Sequence, residues 1–167
     1  NIDMKIEAAA EYMVDVDMEK LVDSNKPLLT FGDKYILIEM SYIAPSTNIE
    51  PLIFILRMKG YQPILAHPER YNYYHARFEM YERFVDLGCL LQVNLLSILG
   101  YYGKSVKKTA DRILEQKMVD LLGTDMHHLA HLNALKLLAS KKNFFASLEN
   151  CHIKNKERSN TVVKRIN

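Results

Sequence analysis

The stretch Pro63-Ile64-Leu65-Ala66-His67 is a short apolar run that ends in one polar residue, and Pro68-Glu69-Arg70-Tyr71 follows it directly. Four other short apolar runs end in the same way, at Glu11, Glu39, Asn94 and Asp125. The five end residues are separated by 28, 28, 27 and 31 positions along the chain. Near-even spacing of this kind fits a strand, a loop, a helix and a return loop. The sequence therefore predicts a parallel α/β sheet built from repeated βα units.

The segments between these runs have the periodicity of amphipathic helices. Apolar residues recur in them at intervals of three and four positions, which places them on one helix face. Thr47 and Asn48 provide a capping signal before the first segment, and Gly60 and Gly88 follow two of the segments as helix-ending residues. We therefore predict four helices, over residues 49–59, 78–87, 107–117 and 129–139.

Composition indicates a globular protein with one substantial core. The chain has 167 residues, of which 49% are hydrophobic and 25% charged, and its formal net charge is +2. This near balance offers no electrostatic argument for nucleic-acid binding. No apolar stretch has membrane-spanning length, and Cys89 lies inside an apolar run, so we expect a cytoplasmic protein without membrane insertion. We expect one domain over residues 1–150 and a basic, solvated or partly disordered tail over residues 151–167, with a basic interaction arm as the alternative.

In a closed β/α barrel, polar residues that end successive strands converge on one mouth. The five run-ending residues fit this arrangement. Such barrels usually contain about eight strands, so we expect roughly two or three further units, on the order of 60–90 residues, to precede the sequence. The barrel is accordingly predicted to be incomplete at its N-terminus.

Asp125 and His127 are the first candidate metal ligands. Both follow the last apolar run, and alternate residues of an extended chain point in the same direction. His67 ends another run, and Pro68 is expected to hold it in an extended conformation. Glu11 follows Ala8-Ala9-Ala10. Taken singly, these residues could be turn caps, a structural histidine or an exposed helical glutamate, but their shared position at run ends favours a metal site.

Other polar residues near the run ends have open interpretations. Glu39 either lines the mouth or holds a neighbouring loop, and we favour the structural role. Asn94 is a polar wall or a turn former. Arg70 could direct its planar guanidinium at a phosphate, although spacing alone favours an ordinary salt bridge. His128 and His131, taken alone, are more typical of supporting or surface residues, and core packing is the default for the tyrosine clusters at residues 71–74 and 101–102.

Two other phosphate chemistries are excluded by spacing. A cysteine-dependent phosphatase requires arginine six positions after the cysteine, but Leu95 and Glu157 stand six positions after the two cysteines. A P-loop ending at Gly103-Lys104-Ser105 requires glycine at position 98, where the chain has Ile98. Nucleophilic cysteine chemistry and a nucleotide-binding loop are therefore not supported.

Four segments resemble a known family. They are residues 26–40, residues 63–71 (Pro-Ile-Leu-Ala-His-Pro-Glu-Arg-Tyr), residues 92–104 (Gln-Val-Asn-Leu-Leu-Ser-Ile-Leu-Gly-Tyr-Tyr-Gly-Lys) and residues 123–128 (Gly-Thr-Asp-Met-His-His). They are similar to the PHP-domain (polymerase and histidinol phosphatase) protein-tyrosine phosphatases of bacterial capsule and exopolysaccharide operons. The similarity extends from about residue 8 to residue 139. A His-x-His segment that opens the family does not occur in this sequence.

The resemblance implies an α/β fold, a distorted (β/α)7 PHP barrel. It also implies a trinuclear centre of divalent metal ions, manganese first with Fe or Zn as alternatives, that hydrolyses phosphotyrosine on a bacterial tyrosine kinase. By position, Glu11, His67, Asp125 and His127 match metal ligands, and Arg70 matches a catalytic, phosphate-contacting arginine. His131 stands where the family has a second arginine, so we take it as a candidate substrate-binding residue. The alternatives are a histidinol-phosphatase-like enzyme acting on small phosphate esters, and a catalytically incomplete binding protein.

Overall fold

The computed structural model describes residues 6–32, 34–139, 153 and 162–163. A sheet of five parallel strands has the order β2-β3-β4-β5-β6, so every strand pairs with its neighbour in sequence. Its strands are β2 (Glu11–Met13), β3 (Tyr35–Glu39), β4 (Gln62–Ala66), β5 (Leu90–Asn94) and β6 (Val119–Gly123). A separate parallel pair joins β1 (Ile6–Glu7) to β7 (Val162–Val163). The predicted α/β class and parallel sheet are confirmed.

Helices separate the strands, as the periodicity predicts. They are α1 (Val16–Asp23), α2 (Ile49–Met58), α3 (Glu79–Asp86), α4 (Leu95–Ile98), α5 (Lys104–Glu115) and α6 (Leu129–Ala139). Four of them, α2, α3, α5 and α6, confirm the four predicted helices to within a few residues. Gly60 and Gly88 follow α2 and α3 with φ values of +84° and +81°, a left-handed conformation that glycine adopts at helix ends. Asn48 directly precedes α2 as its N-cap residue, which confirms the predicted start of the helix, although its side chain makes no capping hydrogen bond.

The main hydrophobic core joins alternate residues of the strands, which share one face of the sheet, to the helices. Its strand residues Ile36, Ile38, Leu65 and Leu91 are all fully buried. Residues from the inner faces of the helices pack against them: Met18, Val22, Leu52, Ile53, Leu56, Tyr81, Phe84, Ala110 and Ile113. The sheet is therefore a rigid base from which the loops after the strands project.

The position of Glu11 differs from the prediction. Glu11 begins β2 and pairs with Leu37 of β3, rather than ending a strand over residues 6–10. Residues 8–10 lie between β1 and β2 and belong to neither strand. The reason is that these three residues are alanines, which are poor strand formers, whereas Tyr12 favours extended structure. The expected strand end at Glu11 is thus a strand start.

Three further predictions concern the limits of the chain. The described part of the chain confirms five parallel strands, while the (β/α)7 PHP barrel and its incomplete N-terminus remain predictions. The division into residues 1–150 and 151–167 also remains a prediction, because residues 140–152, 154–161 and 164–167 lie outside the described residues. Of the tail, Ile153 packs partly buried against the core. Within the described ranges, no helix combines the length and the apolar character needed to span a membrane.

Candidate metal centre

Glu11, Glu39 and His67 form a buried cluster where β2, β3 and β4 lie side by side. His67 Nε2 lies 3.3 Å from Glu11 Oε1 and 3.4 Å from Glu39 Oε2. One ligand atom of each residue falls within 4.8 Å of the others. His67 is only 2% exposed, and both carboxylates are largely shielded from solvent. We call these three residues the acidic cluster.

The backbone at His67 is unusual. His67 follows β4 with φ 36° and ψ 51°, a left-handed conformation, and it precedes a short 3-10 turn at Pro68–Arg70. The prediction that Pro68 holds His67 extended is therefore wrong. A following proline disfavours the right-handed helical region, and this leaves the left-handed region available as well as the extended one. A hydrogen bond from His67 N–H to Gln92 O, at 2.8 Å, ties the strained residue to β5.

The charge of the acidic cluster favours a cation. Burial lowers the pKa of His67, but its hydrogen bonds with Glu11 and Glu39 and the nearby charge of Asp125 outweigh burial and raise that pKa to about 9. The imidazole is thus held between two carboxylates that stabilise its positive form. Two carboxylates and one imidazole carry more negative than positive charge even when the imidazole is protonated.

The donor set of the acidic cluster fits a divalent metal ion. Carboxylate oxygens and imidazole nitrogen are the ligands used by Zn²⁺, Mn²⁺ and Fe²⁺ sites in proteins. The three donors come from adjacent strands of a rigid sheet and already lie close enough to share one ion. Glu39, which the sequence interpretation favoured as structural, belongs to this set. Its signal was its position at the end of an apolar run, equivalent to that of His67.

Asp125 is held beside the acidic cluster by Arg70. Arg70 Nη1 donates to Asp125 Oδ2 at 2.7 Å, and the Asn94 side-chain amide donates to the same oxygen at 3.1 Å. Asp125 lies in the loop after β6 with φ 44°, so it is also left-handed. Asn94 therefore acts as a polar link between the ends of β5 and β6, which decides between its two sequence interpretations.

His127 lies next to Asp125 in the same loop. Its Nδ1 is 3.1 Å from Asp125 Oδ1 and 3.0 Å from the Asp125 carbonyl oxygen. The two residues do come together, although Asp125 is not extended as the spacing argument assumed. His127 is more exposed than Asp125, with side-chain exposures of 33% and 8%. We call Asp125, Met126 and His127 the β6 loop.

His131 lies behind the β6 loop, on the first turn of α6. It is buried, and its Nδ1 accepts a hydrogen bond from His127 N–H at 3.3 Å. Burial and the neighbouring His128 lower the pKa of His131. A lowered pKa agrees with an unprotonated Nδ1 that accepts a hydrogen bond. These contacts give His131 a supporting role toward His127, and its predicted substrate contact remains untested.

Glu69 anchors the turn that carries His67 and Arg70. Its side chain is fully buried, and Oε1 accepts hydrogen bonds from Asn94 N–H at 3.0 Å and from the Ser97 hydroxyl at 2.5 Å. Burial raises the pKa of Glu69 above its usual value. The turn after β4 is thereby fastened to the end of β5. From the sequence alone, Glu69 has no role beyond its place in the family-like segment 63–71. Its burial depends on the packing of two segments that are distant in sequence.

The fold and the acidic cluster together define an α/β protein with a candidate divalent-metal site beside its parallel sheet. Residues 1–142 match the family model described as capsular polysaccharide synthesis, CpsB/CapC. The chain belongs to this CpsB/CapC family.

Relatives of this chain include two proteins named as tyrosine phosphatases. Tyrosine-protein phosphatase YwqE of Bacillus subtilis (strain 168) is 31% identical over 111 residues, which cover 66% of this chain and 44% of the relative. Tyrosine-protein phosphatase CpsB of Streptococcus pneumoniae is 31% identical over 133 residues, covering 76% and 54%. The chain thus spans about half the length of the curated relatives it matches.

A solved structure has the same fold. It comes from a study of YwqE from Bacillus subtilis and CpsB from Streptococcus pneumoniae, described as unique metal-dependent tyrosine phosphatases. The superposition has a TM-score of 0.69 at 24% sequence identity and covers 95% of this chain and 66% of the other. This likeness shows the fold.

Proposed function

We propose that this protein is a metal-dependent phosphatase that hydrolyses phosphotyrosine on a protein, namely a bacterial tyrosine kinase of polysaccharide synthesis. The observation that carries the proposal is the acidic cluster with Arg70 and Asp125 beside it. Relatives named as tyrosine-protein phosphatases support the choice of substrate. The family's link to capsular polysaccharide synthesis supports the choice of partner. A cytoplasmic location and the (β/α)7 PHP barrel fold belong to the same proposal.

In this proposal Glu11, Glu39 and His67 hold divalent metal, and Asp125 and His127 provide further ligands. Manganese is the proposed ion, with Fe or Zn as alternatives. When bound, such ions supply Lewis-acid activation of water and neutralise charge on the phosphoryl oxygens. The rigid strands beneath the acidic cluster fix the donors, so little reorganisation is needed when the ions bind.

Arg70 is proposed to orient the phosphate. Its guanidinium presents five donors in a plane, and in the described part of the chain only Nη1 has a hydrogen-bond partner, Asp125. The side chain is 22% exposed, so its other donors can be reached by an incoming phosphate ester. Charge-assisted hydrogen bonds from a planar guanidinium suit two phosphoryl oxygens at once.

The nature of the leaving group reduces the demand for a general acid. A tyrosine phenol has a pKa of about 10, so its phenolate departs more readily than the alkoxide of serine. A site made mainly of metal ligands and one arginine can therefore cleave this ester. His131, whose Nδ1 accepts from His127 N–H, would keep the β6 loop in place for this reaction.

A substrate comparison tests the proposal. The full protein is assayed with a phosphotyrosine peptide, a phosphoserine peptide and histidinol phosphate, each with Mn²⁺ and with an excess of chelator. We expect hydrolysis of the phosphotyrosine peptide with the highest kcat/KM, and loss of that activity with chelator. Equal or better turnover of histidinol phosphate would favour the small-molecule phosphoesterase. Metal binding without turnover of any ester would favour the binding protein.

A further inference from the structure

The guanidinium of Arg70 contacts two tyrosine rings. Arg70 Cζ lies 4.5 Å from the ring centroid of Tyr42 and 4.2 Å from that of Tyr102. Tyr42 comes from the loop after β3, and Tyr102 from the turn before α5. Arg70 itself lies in the turn after β4. Three separate parts of the chain therefore meet at one guanidinium group.

These contacts reduce the conformational freedom of the Arg70 side chain. Its side chain carries about 2 kcal/mol of rotamer entropy, and bidentate binding of phosphate requires one orientation of the guanidinium plane. The ion pair with Asp125 fixes one end of the group, at Nη1. A cation over an aromatic face is attracted by the ring's electron density, which restricts the plane. The two rings thus restrict rotations of the guanidinium plane that the ion pair alone would allow.

We propose that Tyr42 and Tyr102 are positioning residues for Arg70, which hold its guanidinium so that the donors not used by Asp125 face the phosphate of the substrate. This assignment rests on the proposed function of Arg70 as a phosphate-binding residue. The two tyrosines act through Arg70 and need not touch the substrate. We call them the tyrosine pair.

The two members of the tyrosine pair differ in their hydroxyl groups. The Tyr42 hydroxyl lies 3.1 Å from His67 Nε2, so a change at Tyr42 also affects the acidic cluster. The Tyr102 hydroxyl is buried and has no hydrogen-bond partner among the described residues. Tyr102 therefore acts on Arg70 through its ring alone, and it is the better residue to test.

Neighbouring rings support Tyr102. Its ring packs edge-on against Tyr101, with centroids 5.1 Å apart, and against His131, with centroids 6.0 Å apart. His131 in turn accepts from His127 N–H. The ring of Tyr102 is thereby packed between the residue that binds phosphate in the proposal and the histidine that supports the β6 loop.

Kinetics of Tyr102 variants test the assignment in the full protein loaded with Mn²⁺. Tyr102→Leu is expected to raise KM for a phosphotyrosine peptide roughly 5- to 30-fold, with a smaller change in kcat. Tyr102→Phe keeps the ring and should restore KM to within about twofold of the wild type. The matched control is Phe78→Leu, which removes a ring lying 3.7 Å from Arg112 Cζ, and it should leave KM unchanged. An equal rise of KM in the Phe and Leu variants would overturn the assignment.

A double-mutant cycle shows whether Tyr102 acts through Arg70. Arg70→Lys keeps the charge but removes the plane, so Tyr102→Leu should change KM less than about twofold in that background. Additive effects of the two substitutions would mean that Tyr102 acts elsewhere, and the assignment would be wrong.

The four proteins of this cycle, which are the wild type, the two single variants and the double variant, are also compared in urea denaturation, which needs no activity. Non-additive midpoints are expected, because the ring and the guanidinium are in contact. A wild-type protein that binds Mn²⁺ but hydrolyses no ester would overturn the proposed function, and the denaturation cycle would then decide the Arg70–Tyr102 contact alone. Additive midpoints would overturn that contact.

Discussion

The acidic cluster and the β6 loop hold their charged groups in opposite ways. In the acidic cluster, an imidazole is held by two carboxylates, Glu11 and Glu39. In the β6 loop, the carboxylate of Asp125 is held by a guanidinium. The first arrangement has an excess of negative charge, whereas the second is close to balanced. The acidic cluster should consequently depend most on an added cation, and the β6 loop on the protein's own Arg70.

Removing one carboxylate from the acidic cluster is expected to have the largest effect. Glu39→Gln keeps the size of the side chain but removes a charged oxygen donor. We expect kcat/KM for a phosphotyrosine peptide to fall by more than about 100-fold, since even partners outside the ligand shell contribute about 10- to 100-fold. Calorimetric titration with Mn²⁺ should show a parallel loss of affinity.

Glu50→Gln is the matched control for this experiment. Glu50 on α2 also pairs with a basic side chain, Arg83, at 3.0 Å, but it lies in a surface ion pair. It should leave both kcat/KM and Mn²⁺ affinity unchanged. If Glu39→Gln bound Mn²⁺ as tightly as the wild type, Glu39 would not be a metal ligand. The acidic cluster would then not depend more on an added cation than the β6 loop does.

A charge removed from the β6 loop should have a smaller effect. Asp125→Asn leaves the acidic cluster intact and keeps a side-chain oxygen, but it removes the charge of a proposed metal ligand and its ion pair with Arg70, so kcat/KM should fall about 10- to 100-fold. The matched control is Asp111→Asn, which removes an ion pair with Lys107 at 2.8 Å on α5. A fall as large as that of Glu39→Gln would show that the two regions depend on metal equally.

The end of β6 can also be disturbed without changing any charge. A Cβ atom at Gly123 would lie 1.9 Å from Gln92 Nε2, so Gly123→Ala forces the Gln92 side chain to move. We expect a loss of about 1 kcal/mol or less in the free energy of unfolding, at the low end for overpacked sites, because the clashing atoms are the flexible end of the Gln92 side chain. Urea denaturation measures this loss. Activity should fall with it, because Asp125 follows two residues later.

Removing the obstacle should rescue this variant. In Gly123→Ala combined with Gln92→Ala, the clash is absent, so the double variant should be less destabilised than the sum of the two singles. Gly60→Ala is the control, because its φ of +84° introduces strain while no atom lies within 4 Å of the added Cβ. Gln92→Ala should not rescue Gly60→Ala. If the losses of unfolding free energy in Gly123→Ala and Gln92→Ala were additive, contact with Gln92 would not be the reason why position 123 requires glycine.

The smallest effect on activity is expected at Cys89. This residue lies just before β5 and belongs to neither the acidic cluster nor the β6 loop. Burial raises the pKa of the Cys89 thiol to about 12. In a Cys151→Ser background, iodoacetamide at pH 8 should therefore label the folded protein negligibly and the urea-unfolded protein readily. Labelling of the folded protein at the unfolded rate would show that the start of β5 opens.

The same shift gives a pH dependence of stability. The folded state holds the Cys89 proton more tightly than the unfolded state does, so this contribution is fully present below a pH of about 9. It is lost as the pH rises from about 9 toward 12. Cys89→Val should accordingly show a shallower fall in unfolding free energy over that range.

Much of the sheet could be predicted because its determinants are local. Apolar runs at near-even spacing located β3, β4, β5 and β6, and helical periodicity located α2, α3, α5 and α6. The series of run-ending residues also brings Glu11 next to His67 and Asp125 next to His127, while their role as metal ligands stays a prediction. Glu39 occupied an equivalent position in that series, and a consistent application of the spacing would have included it.

The remaining features depend on contacts between distant segments. The left-handed backbone of His67 and Asp125 has no local signal, since neither residue is glycine. The burial of His131 requires α6 to pack against Tyr101 and Tyr102. The pairing of β1 with β7 joins residues more than 150 positions apart. Periodicity describes one segment at a time and could not reveal any of these.

The arrangement of the acidic cluster also has a consequence for folding. Its three residues lie 28 positions apart in sequence, on or directly after three consecutive strands. Such contacts are non-local, and the pairing of parallel strands that brings them together forms more slowly than local helical structure. The cluster is thus assembled together with the pairing of β2, β3 and β4. A chromogenic metal probe added during refolding would report when the sheet is complete.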